Sequence, residues 1–236
     1  ALSAAALLTA HLVFTLLLTY YKIQRQRRRH RELLALLASP SADGPRTMVI
    51  NVDSPVAYCL PGGARSVTVL SDGLMAALEP EELRAVLNHE NAHLDQRHHL
   101  LLWAFAAWRQ ALPWLPTTRL AQEAVSSLIE MLADDVALKT ASKATLIKAI
   151  AIVASGAPGA PDARMAFGGP ELSDVEPGQP GATGGSGSAR TTASRVSRLL
   201  SPQPPLPEPV RAAVVAACLL LLAVPTALLI VPGLLG

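Results

Sequence analysis

Leu83-Arg84-Ala85-Val86-Leu87-Asn88-His89-Glu90-Asn91-Ala92-His93-Leu94 is the stretch on which the reading of this chain turns. Leu83, Val86 and Leu87 recur at helical spacing, and neither Gly nor Pro occurs from Glu81 to Leu112, so the pattern predicts one helix running on without a break. His89 and His93 are four residues apart and therefore share a helical face, where both imidazoles reach a single metal ion. Glu90 follows His89 directly and falls beside that ion. Zinc lowers the pKa of a bound water to about 7, and an adjacent carboxylate completes its activation at neutral pH. The expected cofactor is zinc, with His89 and His93 as metal ligands and Glu90 as catalytic base. The plainer alternative is a pair of histidines on a solvated helix face.

A catalytic zinc site needs a third protein ligand and one open position. Two routes supply it. In Ser127-Leu128-Ile129-Glu130-Met131-Leu132-Ala133-Asp134-Asp135, Glu130 and Asp134 are again four apart, so Glu130 binds the metal while Asp134 orients a ligating histidine through a hydrogen bond. The apolar setting of these acids argues against a plain exposed face. The second route is His99, which completes a three-histidine spacing in which Gly normally breaks the helix. Gln96 stands at that Gly position, and Leu100-Leu101-Leu102-Trp103 continues the apolar run, so Glu130 is the preferred ligand. His98 and His99 read as helix-end or headgroup-proximal residues.

Outward from this motif, the composition is 50% hydrophobic and 16% charged, with a mean hydropathy of +0.33 over 236 residues. Soluble domains carry roughly 25% charge, so an ordinary soluble enzyme is excluded, as is disorder throughout. The net charge of +2 carries no polyanion signal, and no direct nucleic-acid binding is expected.

The charges are confined to the middle. All 20 Lys and Arg lie between Lys22 and Arg211, and all 18 Asp and Glu between Glu32 and Glu208. Leu2 to Tyr21 is apolar over about 20 residues, long enough for a ~30 Å hydrocarbon core. It ends in Tyr20 and Tyr21, then Lys22, Arg25, Arg27, Arg28, Arg29 and Arg31. A cleaved signal peptide carries its positive charge before the apolar run. The positive-inside rule therefore predicts a transmembrane helix whose C-terminal end is cytoplasmic. Ala212 to Val231, preceded by Arg211, is the second expected span. Because Ala1 rather than Met opens the chain at the edge of an apolar run, earlier spans are expected upstream.

The expected organisation is a transmembrane helix at 1–21, a basic juxtamembrane segment at 22–46 and a metal-binding domain at 47–155. A flexible Gly/Pro-rich loop at 156–189, a short helix and Pro-rich linker at 190–210 and a second transmembrane helix at 211–236 follow. The Arg cluster fits contact with anionic lipid headgroups. Thr47 to Ser71 holds three short β-type runs separated by Ser54-Pro55 and Pro61-Gly62-Gly63, which predict a small antiparallel sheet. Val56 to Leu60 is the expected edge, onto which a substrate strand adds. Ser71-Asp72-Gly73 opens a short helix and Glu79-Pro80-Glu81-Glu82 a longer one. Leu100 to Leu115 contains Trp103, Trp108 and Trp114 and reads either as an in-plane or re-entrant segment or as a buried core helix. Cys59 and Cys218 form no disulfide framework, and Cys59 reads as a small buried residue. The fold class is thus α+β, mainly helical with a small sheet, flanked by membrane helices.

His89-Glu90-Asn91-Ala92-His93, Glu130-Met131-Leu132-Ala133-Asp134, Leu78-Glu79-Pro80-Glu81-Glu82-Leu83 and Tyr58-Cys59-Leu60-Pro61-Gly62 together resemble the BlaR/MecR-type transmembrane zinc metallopeptidases. The resemblance spans about residues 1–236 and is densest over 47–140. It implies a membrane-anchored zincin-like (gluzincin) domain facing the cytoplasm of a bacterial cell membrane, with His89, His93 and Glu130 on zinc and Glu90 as catalytic base. It also implies an endopeptidase that cleaves a protein or peptide substrate, such as a DNA-binding repressor, in a signalling pathway. Residues 1–236 hold no counterpart of an extracellular penicillin-binding sensor, so β-lactam sensing is not carried over. CAAX-processing and heat-shock quality-control membrane proteases share the same two motifs and are the nearest alternative. A non-catalytic, zinc-stabilised membrane signalling protein is another.

Overall fold

In the computed structural model, residues 2–41, 46–63, 66–155, 184–201 and 206–220 are described. The chain forms two units, Ala1–Leu199 and Leu200–Gly236. The first begins with α1 (Leu2–Leu37), a single helix that runs from the apolar N-terminal stretch through the basic segment without interruption. Four strands follow: β1 (Ala38–Pro40), β2 (Thr47–Ile50), β3 (Ala57–Leu60) and β4 (Val67–Ser71). The helices α2 (Asp72–Ala77), α3 (Pro80–Asp95), α4 (His98–Ala111), α5 (Pro116–Ala137), α6 (Lys143–Ser155) and α7 (Gly184–Leu200) complete it. Residues 208–220 of the second unit form α8. The expected second span continues beyond 220, outside the described residues, as do residues 156–183 of the expected loop.

The sheet is mixed, not antiparallel as the run spacing suggested. Its order is β1-β2-β4-β3, with β2 parallel to β4 and the other two pairings antiparallel. The segment between β2 and β3 crosses the end of β4, so β3 takes the outer position and β4 slots inside. The Ser71 hydroxyl holds that crossing. It donates to the Ser54 carbonyl at 2.7 Å and accepts from the Val56 N–H at 2.9 Å. Gly73 N–H donates to the Val52 carbonyl at 3.0 Å, and a Cβ at Gly73 would collide with the Asp53 backbone. β1 was not visible in the sequence, because Ala-Ser-Pro carries no alternation and pairs only by being the continuation of α1.

Alternation along β3 sends Tyr58 and Leu60 to one face and Ala57 and Cys59 to the other. The first face packs with Leu34 of α1, Val56 and Val69. The second packs Ala57 and Leu70 against Leu74, Leu78, Val86 and Ala149. α3 is therefore seated on the sheet by its apolar face. Its start follows the sequence rules: Pro80 sits in the first turn, and the Glu82 carboxylate accepts from the Glu79 N–H at 3.0 Å. α2 is capped by the Ser71 hydroxyl, which accepts from Leu74 N–H.

The expected uninterrupted helix from Glu81 to Leu112 does break. Arg97 adopts φ 52° and ψ 36°, the left-handed region, and the chain reverses there from α3 into α4. No Gly marks the reversal, so sequence pattern did not show it. α4 then runs back against α1.

α1 is built with its polar groups inward. Thr15 and Thr19 are buried, while Leu7, Leu8, Val13, Phe14 and Leu17 are exposed. Thr19 Oγ1 donates to Gln110 Oε1 at 2.8 Å, His11 Nε2 donates to the Ala111 carbonyl at 3.1 Å, and Trp103 Nε1 donates to the Leu16 carbonyl at 3.3 Å. Within it, residues Ala6–Leu37 are long and apolar enough to cross a membrane. Part of the basic segment turns inward as well: Arg31 donates to the Pro61 carbonyl at 2.7 Å and His30 pairs with the Tyr58 hydroxyl at 2.7 Å.

Candidate metal centre

α3 and α5 lie against each other and bring three of the predicted residues to one point. His89 Nε2 and His93 Nε2 are 3.2 Å apart. Glu130 Oε2 lies 3.4 Å from His89 Nε2, and Glu130 Oε1 lies 3.7 Å from His93 Nε2. Among the described residues, His89, His93 and Glu130 form a group whose donor atoms can hold one metal ion. His99 is not in it. Its ring sits beside Arg27 and Arg97, and burial with those charges drives its pKa down to about 4.

The donor set fits a zinc-like ion. Two facing imidazole nitrogens and a carboxylate suit a borderline cation, and three protein ligands leave a coordination position open. Glu130 is the open side of the site, with 27% of its side chain exposed, whereas His93 is 2% exposed. Glu90 is buried beside them, and its Oε2 has no hydrogen-bond partner among the described residues. A buried acceptor without a donor is costly unless a ligand or water supplies one.

Asp134 stands behind His89, with Oδ1 3.0 Å from Nδ1. It is fully buried and held by a fork from Arg195: Nε donates to Oδ2 at 2.8 Å and Nη2 to Oδ1 at 2.6 Å. The same guanidinium reaches Glu130 Oε2 at 3.0 Å through Nη1. One turn on, Arg198 Nη2 donates to both Asp135 oxygens, at 2.9 Å to Oδ1 and 2.7 Å to Oδ2. α7 is thus clamped to α5 by two arginine–carboxylate pairs.

These charges polarise the site. Burial alone would raise the Glu130 carboxyl, but the close contacts with His89 and Arg195 outweigh it and hold it well below the usual carboxylate range. Burial pulls His89 down, but the adjacent Asp134 and Glu130 carboxylates dominate and lift it to about 9. His93 is driven down to about 3, mainly by burial. Burial raises the Glu90 carboxyl, and the charges of His89 and Arg195 offset part of that rise.

The sequence pattern did not bring three neighbours to the centre. Arg195 comes from α7, far along the chain; the only hint was Arg195 and Arg198 three apart, matching the Asp134-Asp135 pair. Cys59, read as a small buried residue, is buried as expected, and burial together with the neighbouring Glu90 pushes its thiol well above the ordinary range. His98, read as a helix-end residue, is 2% exposed and lies against His93 with Nδ1 3.0 Å from His93 Nδ1.

No curated protein matches the chain. The model that describes peptidase family M48 matches residues 23–214, a stretch that takes in α3, α5 and α7 with every residue of the centre, and the chain belongs to that family of metal-dependent peptidases.

Proposed function

We propose that the protein is a membrane-anchored zinc endopeptidase, with His89, His93 and Glu130 as zinc ligands and Glu90 as catalytic base. The observation that carries this reading is the convergence of those three donors beside the buried, unpartnered Glu90 Oε2. Zinc held by His89, His93 and Glu130 would supply Lewis acidity at the scissile carbonyl and would lower the pKa of water toward neutrality. Glu90 accepts the water proton and delivers it to the leaving amine. Asp134 fixes the His89 ring, and Arg195 holds Asp134 and Glu130 in register. β3 is an edge strand, and its pairing with β4 leaves the backbone groups of Ala57 and Cys59 directed away from β4, where an extended substrate adds as a further strand.

The inverted packing of α1 supports membrane anchoring. Large apolar side chains face outward while threonines and histidine make interhelical hydrogen bonds, the arrangement expected in lipid. The basic residues after Tyr21 support a catalytic domain that faces the cytoplasm and lies against anionic lipid. The substrate is a cytoplasmic protein, for which the BlaR/MecR resemblance points to a DNA-binding repressor.

The test is metal analysis with proteomic comparison of wild type and Glu90→Ala in native membranes. The variant keeps its zinc and loses a cleavage product seen in wild type. Proteolysis retained in Glu90→Ala overturns the mechanism. One cognate fragment supports repressor cleavage in signalling, whereas broad loss of fragments from misfolded membrane proteins favours a quality-control role and a prenylated-protein fragment the CAAX-processing role. A tightly held zinc with no cleavage product favours a non-catalytic structural site, although three donors rather than four argue against it.

A further inference from the structure

His98 has no part in the chemistry above, yet it is buried at the back of the centre. The left-handed turn at Arg97 folds the start of α4 onto the end of α3 and sets the His98 ring edge-on to His93, with centroids 5.0 Å apart. Two hydrogen bonds run through it. Its Nδ1 is 3.0 Å from His93 Nδ1, and its Nε2 is 2.9 Å from Gln96 Oε1.

We propose that Gln96 and His98 form a relay that fixes the tautomer of His93, holding its Nε2 lone pair toward the metal. The proposal rests on the metal-centre reading given above. The polarity follows from the donors and acceptors available. An amide oxygen only accepts, so Gln96 Oε1 requires the His98 proton on Nε2. His98 Nδ1 is then a lone pair, and His93 must donate to it from Nδ1. That leaves His93 Nε2 bare, facing His89 Nε2 and Glu130. The opposite polarity, with the Gln96 amide N–H donating to His98, would pass the protons the other way. His93 would then carry its hydrogen on Nε2, where the ion has to bind. Only one direction of the relay is compatible with a ligand at this position.

The two ligating imidazoles are therefore oriented by different chemistry. His89 has the Asp134 carboxylate behind it, and His93 has a neutral ring. His98 is a positioning residue, acting through His93, and not a ligand.

The experiment uses the full chain in detergent micelles, with zinc affinity read by competition against a chromophoric chelator. His98→Asn keeps an acceptor near the Nδ1 position and His98→Phe removes it. Loss of such a supporting partner weakens metal binding by roughly 10–100-fold. His98→Phe is expected to fall in that range and His98→Asn to stay within about threefold of wild type, with the melting temperatures of the zinc-free proteins compared alongside. Equal affinity of His98→Phe and wild type overturns the relay. So does a parallel loss in both variants. Should His98→Phe not fold, 15N imidazole shifts of the zinc-loaded wild type decide the matter. His98 protonated at Nε2 and bare at Nδ1 supports the relay; a proton on His98 Nδ1 overturns it. Wild type that binds no zinc at all refutes the metal-centre reading itself, a result distinct from either.

Discussion

Asp134 is the most constrained residue of the centre, because it is fully buried and charged. It keeps its charge because Arg195 satisfies both oxygens at 2.6 and 2.8 Å. Removing one partner of such a pair leaves an uncompensated buried ion, which costs about 3–5 kcal/mol. Arg195→Gln is therefore expected to lower unfolding stability by about 3 kcal/mol, measured by chemical denaturation. Arg195→Lys, a point charge without the fork, should recover only part of it. A wild-type midpoint for Arg195→Gln would refute the clamp.

His99 sets a pH dependence at the same scale. Its folded pKa is pushed from 6.5 to about 4 by burial and the charges of Arg27 and Arg97. A base with a depressed folded pKa binds fewer protons when folded, so unfolding takes protons up. Its contribution is full above pH 6.5 and is lost as pH falls from there toward about 4. Melting temperatures of the zinc-free protein should fall across that window, and His99→Phe should flatten the slope. An unchanged slope would show that other groups carry it.

At the scale of elements, the reversal at Arg97 decides where α4 goes. A non-glycine residue in the left-handed region costs roughly 1–2 kcal/mol, and glycine avoids that strain while losing chain entropy. Arg97→Gly is expected to hold or raise stability by up to about 1 kcal/mol. Arg97→Val, branched at Cβ, should lose about 1–3 kcal/mol. Because Arg97 is exposed, the comparison is free of packing effects. Equal stability of the two variants by urea titration would mean that the turn relaxes to another conformation.

At the scale of the whole molecule, an ion held by His89, His93 and Glu130 would join α3 to α5. A ligand that binds only the folded chain stabilises it in proportion to the logarithm of its concentration over Kd, about 2.7 kcal/mol at a hundredfold excess. Stripping metal with a chelator should lower the melting temperature in detergent, and zinc should restore it. A melting temperature indifferent to both would argue against the centre. The outward apolar face of α1 belongs to this scale too. The protein should resist alkaline carbonate extraction from membranes, and release by carbonate would overturn anchoring through α1.

What the sequence determined by itself was local. The i, i+4 spacings placed His89 with His93 and Glu130 with Asp134, because a helix brings such residues to one face whatever surrounds it. Pro80 and Ser71 marked helix starts for equally local reasons, and β3 was legible as an edge. Everything that depends on chains meeting at a distance was decided by the tertiary structure. Glu130, not His99, joined the histidines only once α5 packed on α3. Arg195 arrived from α7, and β4 slid between β2 and β3 to make the sheet mixed. His98 reached His93 because one arginine took a conformation its side chain does not announce. Short-range periodicity is written in the order of residues, while the partners of a buried charge or a bare ring nitrogen are chosen by packing.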